Sequence, residues 1–106
     1  MRRGFVVSDS LTPTAGARFV LELVEPDGGY VGRIVTPASS YEYEVALTAG
    51  AEPVVRVRGA AAPSELAGML IMIARLCARG AARRAEEGLP MWPARITRWR
   101  GPGRGG

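Results

Sequence analysis

The residues best suited to chemistry or binding lie at the end of the chain. The last 19 residues, Gly88–Gly106, hold Arg95, Arg98, Arg100 and Arg104, no acid, and both tryptophans, Trp92 and Trp99. Trp offers a large rigid surface, and Arg offers a planar donor fork that stacks and pairs with carboxylate or phosphate. Together they suit two partners. Nucleic acid uses them for base stacking and phosphate neutralisation. Protein interfaces use them as anchors. In Arg95–Arg100 (RITRWR), a period of two sets Arg95, Thr97 and Trp99 on one side and Ile96, Arg98 and Arg100 on the other. A helix would instead pair Arg95 with Trp99. A purely structural role is the competing reading: Met91, Trp92, Ile96 and Trp99 pack back onto the chain as core.

Catalytic readings are weaker. All 14 basic residues are Arg, and the chain has no Lys, His, Asn or Gln. Without His there is no imidazole base or ligand. Without Lys there is no Schiff-base nucleophile and no phosphate-loop lysine. The single cysteine, Cys77, excludes an internal disulfide and a multi-thiolate zinc site. It sits in an apolar stretch and reads as a small buried hydrophobe. Glu42 and Glu44, spaced by two, could work as an acid/base pair but read as a solvated strand face. Glu86 and Glu87 read as solvated or Arg-paired. Ser8-Asp9-Ser10 has no base, and Pro26-Asp27-Gly28-Gly29 has one acid where a calcium loop needs several. The expectation is a non-enzyme with no cofactor, metal site or small-molecule substrate.

These side chains must be positioned by a single small domain, the prior for 106 residues at 47% hydrophobic content. Gly4–Ser8, Arg18–Glu25, Tyr30–Thr36, Tyr41–Thr48 and Val54–Arg58 read as strands from alternation and β-branched content. Pro26–Gly29, Pro37–Ser40 and Ala49–Pro53 are the turns between them. Short strands and short turns predict an antiparallel meander of four or five strands. Pro63 then opens a helix over Ser64–Glu87, and Gly88 followed by Pro90 stops it. The expected fold class is α+β: the meander sheet, one long C-terminal helix packed on one face, and a short Trp/Arg-rich extension. Residues 1–88 form the domain in this reading, and 89–106 the extension.

The helix carries two further signals. Leu66, Met69, Leu70, Ile73, Cys77 and Gly80 repeat at three and four and predict the core stripe. Met69-Leu70-Ile71-Met72-Ile73, however, is apolar around the full circumference, which predicts cover on a second side. The C-terminal segment, another copy of the chain, or another protein could supply it. Beyond this turn, Arg75, Arg79 and Arg83 fall on one line, with Arg84 beside it and Glu87 four residues after Arg83.

Charge divides along the chain. Residues 1–62 carry six Arg against seven acids, net −1, and residues 63–106 carry eight Arg against three acids, net +5. Arg in place of Lys, with much Ala and Gly, is also what a GC-rich genome yields. The longest apolar run, Met69–Ala74, is far short of the ~20 residues a membrane span needs. Phe5-Val6-Val7 is too short for a secretory core. A cytoplasmic protein with no membrane partner is therefore expected. Four antiparallel strands followed by a helix, over about residues 18–87, resemble in element order the single-strand-binding coactivators of the Whirly type, which act as dimers. The leading expectation is an interaction module that self-associates or docks into a larger protein assembly. Its expected partner-binding residues are Met69, Ile71, Met72, Trp92, Arg95, Arg98, Trp99 and Arg100. The alternative is a single-stranded DNA or RNA binder using Arg75, Arg79, Arg83, Arg95, Arg98 and Arg100.

Overall fold

The computed structural model describes residues 15–101, so the predicted strand Gly4–Ser8 lies outside the described residues. Five strands and one helix follow: β1 (Ala17–Glu25), β2 (Gly29–Val35), β3 (Ser40–Ala46), β4 (Val54–Arg58), α1 (Ser64–Glu86) and β5 (Arg95–Arg100). They form one antiparallel sheet of order β4-β3-β2-β1-β5, with α1 across one face. The class is α+β with an antiparallel sheet.

The β1–β2 hairpin shows why these strands form where they do. Gly28 N–H donates to the Glu25 carbonyl at 3.1 Å, closing the Pro26–Gly28 turn. Gly28 has φ 109°, and an added Cβ would lie 2.4 Å from the Leu47 carbonyl oxygen. Only glycine satisfies both conditions. The strand alternation then sorts the side chains. Phe19, Leu21, Tyr30, Ile34, Tyr43 and Val45 turn toward the helix and are buried. Ala62 N–H donates to the Tyr43 hydroxyl at 2.8 Å, which ties the β4–α1 connection to the middle of the sheet.

The helix ends as its sequence predicts. Gly88 takes φ 80°, and Leu89 N–H reaches back to the Arg84 carbonyl at 2.9 Å. Its deepest residues are Leu70, Ala74, Ala78 and Ala81, which corrects the predicted stripe. Leu66, Met69, Ile73 and Cys77 pack along the flank instead. Leu70 and Ala74 belong to the core cluster, and the Ala78 carbonyl accepts from Gly50 N–H at 3.0 Å, which seats the second half of the helix beside the β3–β4 connection.

Two other expectations change. The C-terminal segment does not cover a second side of the helix: it enters the sheet as β5, beside β1. The set-apart extension thus supplies the fifth strand, because β1 offers a free edge that a six-residue strand can saturate. The turn Met69–Ile73 is also less enclosed than its composition suggests. Leu70 is buried and Met69, Ile71 and Ile73 are half-buried, but Met72 is 56% exposed and Leu76, one turn on, 58%. Among the described residues no helix is long and apolar enough to cross a membrane.

Burial predicts unequal costs along the helix. Leu70→Ala should lose about 3 kcal/mol, as for other enclosed leucines. Leu76→Ala should change stability by less than about 0.5 kcal/mol. Urea unfolding of the two variants measures the contrast, and equal losses would contradict this packing.

Candidate functional site

The candidate site is the β5 edge with the surfaces on its two sides. β5 is placed by its register against β1: Trp99 faces Arg18, Thr97 faces Val20, and Arg95 faces Glu22. These residues stand on the face of the sheet away from the helix. Ile96, Arg98 and Arg100 stand on the helix face, so the period-two division of RITRWR is realised. Ile96 is buried in the core. Trp99 is 51% exposed, and the Arg18 guanidinium lies 5.9 Å from its ring centroid, a cation–π arrangement. The Nε of Arg18 is shielded and has no hydrogen-bond partner among the described residues.

The two tryptophans have different roles. Trp92 is half-buried against the core, and its ring lies 3.3 Å from where a Gly28 Cβ would stand. Next to it, the Tyr30 hydroxyl donates to the Pro93 carbonyl at 2.7 Å. That bond fixes the approach to β5. Burial, aided by the adjacent Cys77, raises the Tyr30 pKa well above the ordinary phenol range, and Arg84 opposes the shift. Burial also raises the Cys77 pKa. Cys77 is therefore a protonated thiol at neutral pH, without the depressed pKa that marks a reactive cysteine.

Ion pairing separates the remaining candidates. Arg100 donates to Glu65 at 2.9 Å and to the Met69 sulfur at 3.4 Å, joining β5 to the first turns of α1. Arg98 donates to the Thr97 carbonyl at 2.9 Å. Arg95 is exposed beside Glu22. The predicted helix line is mostly engaged: Arg75 binds Glu52 through two bonds at 2.6 and 3.0 Å, and Arg83 meets Glu87 at 3.3 Å, leaving Arg79 exposed. The structure thus gathers Trp99, Arg95, Arg98 and Arg100 on one strand and links Met69 to them. Ile71 and Met72 lie elsewhere on α1, and Trp92 packs against the core.

Sequence reasoning read Glu42 and Glu44 as a solvated strand face but missed the cross-strand order of the open sheet face. Cross-strand register aligns Arg95, Glu22, Val31, Glu44 and Arg56 in one row and Thr97, Val20, Arg33, Glu42 and Arg58 in the next. Arg33 bonds Glu22 at 3.1 Å, and Arg58 meets Glu42 at 2.9 Å and Glu44 at 3.7 Å. Glu42 and Glu44 are therefore held by a guanidinium, not paired as an acid and a base. Alternation along each strand signalled the individual residues, but their rows depend on register. At one end of this face, Val24, Gly29, Val31, Ala46 and Val54 line a depression of about 370 Å³. Among the described residues, no group of three or more acidic or thiol side chains could hold a metal ion.

No protein-family model matches the chain, nor does a curated protein or a solved structure.

Two measurements follow from this geometry. Trp92→Ala should cost about 3 kcal/mol, whereas Trp99→Ala should cost at most about 1 kcal/mol, the exposed cation–π contact being its main loss. Thermal melts compare them directly. Alkaline titration tests Tyr30. Its folded pKa is raised, so its contribution is fully present below the unfolded phenol value of about 10 and is lost as pH rises above it. Tyr30→Phe should lower stability at pH 7 and flatten this alkaline decline. An unchanged decline would place its origin elsewhere.

Proposed function

We propose that the protein is a non-enzymatic interaction module that binds another copy of itself or another protein through its β5 edge. The observation that carries the reading is Trp99. It stands half-exposed on an edge strand, with the Arg18 guanidinium 5.9 Å from its ring centroid and one side of that strand unpaired among the described residues. Trp and Arg are the residues most often found as interface anchors. Met72 and Leu76 add exposed apolar surface on α1. The sequence also has no His or Lys with which to build common catalytic centres.

Nucleic-acid binding is the alternative, favoured by the same exposed indole with the Arg18 guanidinium beside it. Its support is thinner. Glu22, Glu42 and Glu44 share the open face and engage Arg33 and Arg58, so that face carries mixed charge. Two of the three arginines on the helix line are also engaged by acids.

Light scattering coupled to gel filtration, into the high micromolar range, tests the choice. The expected result is a concentration-dependent mass above the monomer, or co-elution with a protein partner, with Trp99→Ala reducing either while the circular dichroism spectrum is kept. A strict monomer with no protein partner, together with oligonucleotide binding that weakens steeply with salt, would replace this reading with the alternative.

A further inference from the structure

We propose that a second copy of the chain adds to the outer edge of β5, antiparallel, about a twofold axis through Thr97, joining two five-stranded sheets into one. The inference rests on the association reading above and names its partner and register.

The backbone pattern defines what the edge offers. Leu23 N–H donates to the Ala94 carbonyl at 2.9 Å. In an antiparallel pair, bonded positions recur every second residue. With Leu21 facing Ile96, Phe19 facing Arg98 and Ala17 facing Arg100, the β5 positions bonded to β1 are 94, 96, 98 and 100. Arg95, Thr97 and Trp99 therefore turn their N–H and C=O groups outward. No strand lies beyond β5 among the described residues.

A twofold axis restricts the possible registers. Centred on Thr97, it opposes all three outward residues: Thr97 meets Thr97, and each Arg95 meets the other copy's Trp99. Every such pair can exchange two backbone bonds. On the open face, each indole then receives an Arg95 guanidinium from its partner beside the Arg18 guanidinium of its own chain. On the helix face, Arg98 stands opposite Ile96. Other centres do worse. An axis on Arg95 or on Arg98 opposes two guanidiniums. One on Ile96 sets Trp99 against Pro93, which has no N–H. One on Trp99 carries Arg95 past the end of the partner strand. Thr97 is the centre that pairs each cation with a neutral residue and also gives every outward residue a partner able to bond.

The flanking surface suits the same partner. A groove of about 210 Å³ lies over the helix face of β5, between Ile73, Leu76 and Cys77 on α1 and Ile96 and Arg98 on the strand. Arg100 is bound by Glu65, whereas the Glu22 carboxylate opposite Arg95 is engaged by Arg33. Arg98 is the opposing element. It caps the Thr97 carbonyl that pairing would use, and it stands diagonally across from its own copy. Pairing is therefore reversible and is strengthened by salt, which screens that repulsion.

Sedimentation equilibrium on the full chain tests the register. Thr97→Pro deletes an N–H that points away from β1, so the far-ultraviolet spectrum should persist while self-association weakens by at least about tenfold, two bonds being lost across the axis. Thr97→Val keeps that N–H and should associate as the parent does. Arg98→Ala removes both the cap and the repulsion and should associate more tightly than the parent. If Thr97→Pro does not fold, opposite shifts in Arg98→Ala and Trp99→Ala provide the same test. Association unaffected by Thr97→Pro, Trp99→Ala and Arg98→Ala would overturn edge pairing while leaving the interaction-module reading standing. A monomer throughout, Arg98→Ala included and without any protein partner, would overturn both.

Discussion

The rest of the fold depends on the pairing of β5 with β1. β1 is the first described strand, and the meander β1–β4 leaves it at an edge. Only when the chain returns after the helix does β1 gain a second neighbour. That pairing puts Phe19 and Leu21 in the middle of the sheet, beneath a helix that must travel from β4 at one edge to β5 at the other. The path of α1, the depth of Leu70 and the position of the exposed Trp99 all follow from where the last strand enters.

The junction is held by side chains from distant parts of the chain. Tyr30 anchors the approach to β5 through the Pro93 carbonyl. Trp92 packs by the Gly28 turn, which cannot accept a side chain. Arg100 ties the far end of β5 to Glu65 and Met69 on the helix. Each contact serves the same constraint: a terminal strand frays unless both of its ends are secured. The strand secured in this way still has its outward edge, and its charged residues give that edge a mixed character. Arginines along such an edge discourage indiscriminate strand pairing.

The open face follows a different rule. Its acids and arginines alternate across strands so that Arg33 and Arg58 are each satisfied by a neighbour. The face as a whole stays basic, with Arg18, Arg33, Arg56, Arg58 and Arg95 against Glu22, Glu42 and Glu44, and Val20 among them is buried. Part of the excess charge of the second half is absorbed in the same manner, since Arg75 is bound by Glu52 from the first half.

Local pattern was enough to read much of this protein. The four meander strands, their turns, the helix and its glycine stop were legible because alternation, helical periodicity and turn chemistry act over a few residues. The division of RITRWR into two faces was legible for the same reason. Three matters required the tertiary structure. The Trp/Arg segment is a strand rather than an added tail, because its pairing partner lies some seventy residues earlier and edge saturation is a long-range event. Leu70, Ala74, Ala78 and Ala81 are the helix residues that bury fully while Met69, Ile73 and Cys77 stay half-buried, because the placement of the helix is set by the whole packing. Trp92 goes inward and Trp99 outward, because only the register of β5 against β1 decides which indole meets the core and which remains at the edge.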